Sequence, residues 1–239
     1  MIALVTGANR GIGRAIAEQL AASGNTVLVS GRDLARCAEV AAEIGPRAHP
    51  LALDVTDQST VDAAADLIGQ RFSHLDVLVN NAGISGRLGV LPSGAGLADV
   101  AAVFDTNVFG VIRVTNAMLP LLLRSPAGRI VNVSSSVGSL TRMSDQAHYL
   151  AGMPAMASYP AAKSALNSLT IQYAKELRGT AILVNAADPG LCDTDFTRPL
   201  GLTIDRTAAQ GAAIAVHLAT LPADGPTGTL SSDDGPVPW

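Results

Sequence analysis

Apolar positions along this chain fall into two rhythms that alternate from one end to the other. Short contiguous runs of Val, Leu, Ile and Ala, such as "IALVTG" at 2–7 and "TVLVSG" at 26–31, show no polar alternation. Such runs predict strands buried on both faces, the habit of a parallel sheet. Between them lie longer Ala-rich stretches whose apolar residues return every three or four positions, which predicts helices with one buried face. "IGRAIAEQLAASG" and "DLARCAEVAAEIG" are two of these, stopped by Gly24 and Gly45, and Asp33 is placed to cap the second.

Further strands are predicted at "AHPLALDV", "LDVLVNNAG", "GRIVNVSSS" and "AILVNAADPG", with a weak closing strand at "GPTGTLSS". Helices are predicted at "QSTVDAAADLIGQRF", at about 97–108 and 109–124, at "SYPAAKSALNSLTIQYAKELRG" and at "DRTAAQGAAIAVHLATL". Strands alternating with helices imply right-handed crossovers and an α/β fold with a parallel sheet. No repeat, low-complexity tract or linker interrupts the alternation, so residues 1–239 read as one domain. Ligands of such sheets sit beyond the carboxyl ends of the strands. Here those ends carry "TG", "SGR", "LDV", "NNAG", "SSS" and "DPG", small or polar at every strand. A purely structural sheet has no need of that.

Composition narrows the function. Hydrophobic residues make up 48% of the chain but aromatics only 3%, so the core must be aliphatic. A net charge of −4 speaks against a nucleic-acid partner, which needs clustered Lys and Arg. No apolar run reaches the length of a membrane span, and no secretory leader is visible before the first strand. Cys37 and Cys192 form no close-spaced motif and suggest reduced thiols, so a cytoplasmic location is expected. The scattered histidines and cysteines give no metal-ligand spacing, and no metal is expected.

"TGANRGIG" (Thr6 to Gly13) joins the first strand to the first helix. Gly7, Gly11 and Gly13 let the backbone turn tightly and approach a pyrophosphate at the helix N-terminus, with Asn9, Arg10 and Ile12 in the same loop. At the end of the second strand, where an acid would bind the ribose 2′-hydroxyl of NAD, stands Gly31 followed by Arg32. Arg32 and Arg10 could clamp a 2′-phosphate, which predicts NADP(H) as cofactor. Downstream, Tyr159 and Lys163 lie four residues apart and share a helix face. A cation beside a phenol favours the phenolate and lowers the pKa from its usual value of about 10.

These elements resemble the short-chain dehydrogenase/reductase superfamily over nearly the whole chain. The matching stretches, in the family's order, are "TGANRGIG", Asp54 in "LDV", "NNAG", Asn107 in "DTNVFG", "IVNVSSS", Tyr159 with Lys163, and "DPGLCDT". The resemblance implies a Rossmann-type doubly wound sheet of about seven strands with helices on both faces. It implies a catalytic tetrad of Asn107, Ser135, Tyr159 and Lys163. Tyr159 would act as general acid, Ser135 would bond the substrate oxygen, and Lys163 would hold the nicotinamide ribose. Asn107 would bend its helix and hold a water linked to the lysine. Cofactor contacts would come from the glycine loop, Arg32, Asp54, Val55, Asn81, Ala82, Gly83, Tyr159, Lys163, Pro189, Gly190 and Thr194. Ser134 and Ser136, flanking Ser135 in an extended segment, are expected to face away.

The chain departs from the pattern at about 138–157, an extra segment before Tyr159 that resembles, in shorter form, the insertion of the carbonyl-reductase branch. Met143, Met153 and Met156 with Tyr149 and Leu150 either line an adaptable pocket or pack the insert down. Cys192 reads as a pocket-wall residue and His148 as a loop histidine. The expected function is NADPH-dependent reduction of aldehydes or ketones to alcohols. Two alternatives fit the same residues: an NAD(P)-dependent alcohol dehydrogenase running the oxidation, and a catalytically idle dinucleotide sensor with a protein partner. Cofactor preference separates the first from the leading reading, and the complete tetrad argues against the second. Oligomeric state stays open between monomer, dimer and tetramer.

Overall fold

The computed structural model describes residues 1–239. Strand β1 (Ile2–Val5) leads through helix α1 (Gly11–Ala22) to β2 (Thr26–Gly31), α2 (Leu34–Ile44), β3 (Ala48–Ala52), α3 (Gln58–Phe72) and β4 (Val77–Asn80). The second half continues with α4 (Leu97–Phe104), α5 (Gly110–Leu122), β5 (Arg129–Val133), α6 (Leu140–Ser144), α7 (Tyr159–Glu176), β6 (Leu183–Ala187) and α8 (Ala208–Ala219). Strands β7 (Leu230–Ser232) and β8 (Gly235–Val237) close the chain. All eight strands form one sheet in the order β3-β2-β1-β4-β5-β6-β7-β8. The first seven are parallel, and β8 folds back antiparallel on β7. This eighth strand exceeds the expected number because "GPV" carries no apolar run to betray it. Strand order reverses between β1 and β4, which opens the ligand crevice at their carboxyl ends.

The strands sort their side chains by size between the two faces. Ala3, Val5, Val27, Val29, Val77, Val79, Val131 and Val133 meet the alanine-rich sides of α1 and α8 (Ala15, Ala17, Ala212, Ala215), together with Cys37 and Val40 of α2. Leu4, Leu28, Leu78 and Ile130 point the other way, onto α3, α5 and α7 through Val61, Ile68, Val114, Met118 and Tyr173. Small strand residues against alanine let α1 approach the sheet closely, which brings its N-terminus up to the crevice. Each buried Leu or Ile contributes about 1.5–3 kcal/mol.

Two elements differ from their sequence expectation for local reasons. The stretch expected as two helices at 97–124 is one continuous rod whose turn at Asp105–Phe109 is π-helical. Such a widened turn accommodates an extra residue without breaking the helix. The last helix begins at Ala208 rather than near Asp205 because Thr207 and Gln210 cap each other's backbone. Thr207 Oγ1 accepts from the Gln210 amide at 3.2 Å, and Gln210 Oε1 accepts from the Thr207 amide at 2.8 Å. Thr207→Ala is therefore expected to cost about 1 kcal/mol, read as a lower urea midpoint with unchanged slope.

Candidate active site

The crevice is built first by the loop from β1 into α1. Thr6 Oγ1 accepts the backbone amides of Asn81 at 2.9 Å and Ala82 at 3.0 Å, tying the loop to the end of β4. Asn81 returns the contact, its Nδ2 donating to the Thr6 carbonyl at 2.8 Å and to that of Gly7 at 3.2 Å. Gly7 and Gly11 have φ of 63° and 54°, the left-handed region that favours glycine. At Gly13 the requirement is space: a Cβ would lie 2.3 Å from Asn81 Nδ2 and 2.5 Å from the Gly7 carbonyl oxygen. Arg10 occupies the N-cap of α1 without a side-chain cap bond, so the leading amides stay open to an anion. Ile12 packs into the core below. The loop fits a pyrophosphate.

At the tip of β2, a Cβ on Gly31 would stand 3.1 Å from Cys37 Sγ and 3.5 Å from the Asn9 side chain. An acid reaching for a ribose hydroxyl has little room there. Arg32 beside it is exposed, and Arg10 Nη1 forms a surface pair with Asp195 at 3.5 Å. Past the end of β3, Asp54 Oδ1 accepts from the Thr56 amide at 2.9 Å and hydroxyl at 2.7 Å, while Val55 is buried. Gly83 backs onto Asn107, whose Oδ1 would lie 3.3 Å from an added Cβ.

Tyr159 opens α7 and Lys163 follows one turn later, as their spacing predicts. Lys163 is buried; its Nζ donates to the Val133 carbonyl at 2.7 Å and lies 5.5 Å from the Tyr159 ring centroid. The three serines after β5 have separate fates. Ser134 donates to Asn167 Oδ1 at 2.6 Å, and Ser136 donates to Asp188 Oδ2. Ser135 Oγ only accepts, from the Val137 amide at 3.3 Å, which leaves its hydroxyl proton for another acceptor. Their sorting is not the strand alternation expected, because β5 ends at Val133; hydrogen-bond partners on α7 and beyond β6 do it.

Asn107 sits buried in the π-helical turn. Its Oδ1 accepts from the Ile84 amide at 2.9 Å and its Nδ2 donates to the Ile84 carbonyl at 2.8 Å, so the side chain braces the loop after β4. The expected lowering of the Tyr159 phenol does not hold for the protein by itself. Burial pushes it up, and the nearby Asp188 carboxylate adds to the rise. Burial also pulls Lys163 down to about 8, against the opposing pull of Asp188. The lysine reaches the Val133 carbonyl rather than the phenol oxygen, so desolvation governs both groups.

Beyond β6, Gly190 turns with φ of 70° and the Pro189 carbonyl accepts from Arg206 Nε at 2.8 Å. Thr194 lies over the glycine loop: its Cγ2 would be 3.7 Å from a Cβ on Gly11. Phe196 is partly exposed, its ring 5.5 Å from that of Tyr159. Cys192 is not a pocket-wall residue. It is 1% exposed, its Sγ only 2.4 Å from where a Gly211 Cβ would stand, and burial raises its thiol.

Residues 1–205 match the family described as short chain dehydrogenase. The chain belongs to the short-chain dehydrogenases. A short-chain dehydrogenase of Penicillium roqueforti is 35% identical over 227 residues, covering 92% of this chain and 88% of that protein. A 3-oxoacyl-[acyl-carrier-protein] reductase of Synechocystis sp. is 39% identical over 203 residues, 83% of this chain and 77% of its own length. Among solved structures, the NADPH-bound carbonyl reductase from chicken fatty liver superposes with a TM-score of 0.85 at 30% identity, covering 99% of this chain and 98% of that one. This short-chain dehydrogenase is accordingly an oxidoreductase that uses a nicotinamide dinucleotide.

Several residues that shape the dehydrogenase's site were given no role from the sequence, although Thr6, Asn80 and Asn132 lie within its motifs. A buried amide chain runs beneath it: Asn80 Nδ2 donates to Asn132 Oδ1 at 2.9 Å, and Asn132 Nδ2 to Thr170 Oγ1 at 2.9 Å. This ties β4 and β5 to α7, which carries Tyr159 and Lys163. Thr6, Asn167 and Arg206 act at similar remove. Their common mark in the sequence is polarity inside or beside an apolar run, which alone does not separate a brace from a ligand. In the 138–157 segment, Leu150 is buried, whereas Tyr149 is 75% exposed and stacks on His148 at 4.7 Å. His148 Nδ1 accepts from the Leu150 amide at 3.3 Å, so the histidine serves the turn.

Gly13→Ala places a methyl on Asn81 and the Gly7 carbonyl, and is expected to weaken NADPH binding at least about 10-fold by nucleotide fluorescence titration. Gly24→Ala, where nothing lies within 4 Å, should leave the affinity unchanged while lowering stability through its φ of 86°.

Proposed function

We propose that the protein reduces the carbonyl group of aldehydes or ketones to alcohols with NADPH, with Tyr159 as general acid. The arrangement of Tyr159, Lys163 and Ser135 carries this reading: a phenol and an ammonium on one helix face, the ammonium on the Val133 carbonyl two residues before Ser135, which alone of the three serines after β5 has an uncommitted hydroxyl proton. A bound NADPH would supply the hydride that the carbonyl carbon takes up. Tyr159 delivers its proton to the carbonyl oxygen, and Ser135 donates a hydrogen bond to that oxygen as negative charge develops on it. Lys163 offers its ammonium to the phenol's electrostatic field and to the cofactor ribose. Asn107, through Ile84, keeps the loop after β4 in place around them.

Burial and Asp188 favour the protonated form of Tyr159, which is the proton donor that reduction uses. NADPH is favoured by the crowded Gly31 and by exposed Arg32 with Arg10 close to the loop. The cofactor would contact Gly7, Asn9, Arg10, Gly11, Ile12 and Gly13, then Arg32, Asp54 and Val55, then Asn81, Ala82 and Gly83. Pro189, Gly190 and Thr194 would close over the nicotinamide end. Phe196 against Tyr159, with Leu191, Leu200 and Leu202 exposed on the same segment, supports apolar or aromatic substrates. The relatives are reductases of a carbonyl and of a 3-oxoacyl thioester, which points in the same direction. A single domain acting in the cytoplasm fits two free, buried cysteines, and no helix is long and apolar enough to cross a membrane.

NADPH consumption over quinones, diketones, aldehydes and keto esters tests the reading. Activity should appear with at least one class and fall about 10²–10⁴-fold in Tyr159→Phe. Tight NADPH binding with no turnover of any of them would favour the sensor instead. Ser135→Ala should lower kcat about 10²–10³-fold, as for loss of an oxyanion donor. Arg32→Ala should raise KM for NADPH about 10-fold and leave NADH kinetics unchanged; an equal effect on both cofactors would count against the 2′-phosphate assignment.

A further inference from the structure

The roles above leave unused a buried acid at the carboxyl end of the sheet. Asp188, immediately after β6, is 6% exposed. Its Oδ2 accepts from the Ser136 hydroxyl, and its Oδ1 accepts from the Gly190 amide at 3.1 Å. Ser136 in turn accepts from Arg142 Nη1 at 2.8 Å, so a guanidinium on α6 and a carboxylate beyond β6 share one hydroxyl. The sheet fixes where this acid lies. Val133 is the register partner of Ala187, and the Ser134 amide donates to the Ala187 carbonyl at 2.7 Å. Asp188 therefore follows directly on the strand position paired with Val133, whose carbonyl receives Lys163 Nζ.

A carboxylate placed there faces several ionisable groups. From α7 come Tyr159 and Lys163, both of which respond to its charge. Arg142 approaches from α6 through Ser136. Arg206 bonds the adjoining Pro189 carbonyl and pairs with Asp233 of the β7–β8 turn. Lys163 itself has a neutral carbonyl as its hydrogen-bond partner. A buried ammonium so placed tends to lose its proton unless an anion lies near.

We propose that Asp188 is a positioning residue of the reaction: it is the countercharge that keeps Lys163 ionised, and through Ser136 and Gly190 it sets the Ser135 turn against the Pro189 turn. This rests on the reading of Tyr159 and Lys163 as the reductive pair. Reduction needs a protonated phenol and a charged lysine, and both are lost as pH rises. Burial pulls the lysine down to about 8, so reductive turnover is expected to decline as pH rises through that region. Removing the Asp188 charge makes the ammonium easier to deprotonate and the phenol easier to ionise. Both changes move the alkaline limb to lower pH.

The chain's two lysines, Lys163 and Lys175, make this directly observable. In protein labelled with nitrogen-15 lysine, the ζ-nitrogen of Lys163 is followed by NMR against pH, with Lys175→Arg providing the assignment. Its midpoint is expected to fall by about one unit or more in Asp188→Asn, which keeps the shape and much of the hydrogen bonding, and to move much less in Ser136→Ala, which removes the bond from Ser136 but keeps the charge. The alkaline limb of kcat for NADPH-dependent reduction of an aromatic ketone should follow the midpoint. A hydrogen-bond staple with no electrostatic role would give the two variants the same effect. An unchanged midpoint and limb in Asp188→Asn overturn the proposal. Should Asp188→Asn fail to fold, the smaller Asp188→Ser is read the same way: a downward shift supports it and no shift overturns it. Absence of turnover by the unsubstituted protein overturns the reductive reading instead, while the NMR titration still reports whether Asp188 and Lys163 are coupled.

Discussion

An ammonium removed from water beside a phenol is the constraint around which this molecule is organised. Lys163 is 5% exposed and hydrogen-bonds the Val133 carbonyl at the very end of β5. Ion burial of that kind is unfavourable unless the surroundings are fixed and polar, and the surroundings here are both. Helix α7 is held by the Asn80–Asn132–Thr170 chain beneath it and by Ser134 on Asn167. Gly138 allows the adjoining turn to lie against α7, since a Cβ there would be 2.7 Å from the Lys163 backbone carbon. The site is a set of close approaches that larger residues would forbid.

The glycine-loop end of the crevice and the Tyr159 end are joined by the same economy of space. Thr6 receives the amides that follow β4, Asn81 grips the glycine loop, and Asn107 clasps Ile84 from the π-helical turn. These side chains satisfy backbone groups at strand ends that would otherwise be left unpaired around a crevice. Side-chain polarity is thus used twice, for holding loops and for chemistry, and only geometry separates the two uses. Ser134, Ser135 and Ser136 show the distinction most plainly, since three identical residues in succession take a brace, an open hydroxyl and a carboxylate partner.

Much of this was legible in the sequence, and the reasons are physical. Contiguous aliphatic runs favour strands covered on both sides, and alanine-rich periodic stretches favour the helices that cover them. Glycines at a strand–helix junction mark backbone that must turn or be approached, and Gly7, Gly11 and Gly13 each meet that requirement. A phenol and an amine four residues apart on a helix must share a face, as Tyr159 and Lys163 do. Strand β8 escaped because "GPV" is held by pairing to β7 rather than by its own preference. The exact start of α8 depended on one reciprocal cap.

Tertiary structure alone decided the electrostatics. Local spacing suggested that Lys163 would acidify Tyr159, but burial acts on both groups at once and the lysine finds a backbone carbonyl instead. Asp188 read only as a polar residue at a strand end, because nothing local shows that it will be desolvated next to α7. Cys192 likewise went under α8 once Gly211 made room. Period and spacing are properties of neighbours along the chain, so the sequence determined the elements, their order and the faces they share. Desolvation and charge proximity are set by residues far apart in sequence, and they exist only once the sheet has brought β5, β6 and α7 together.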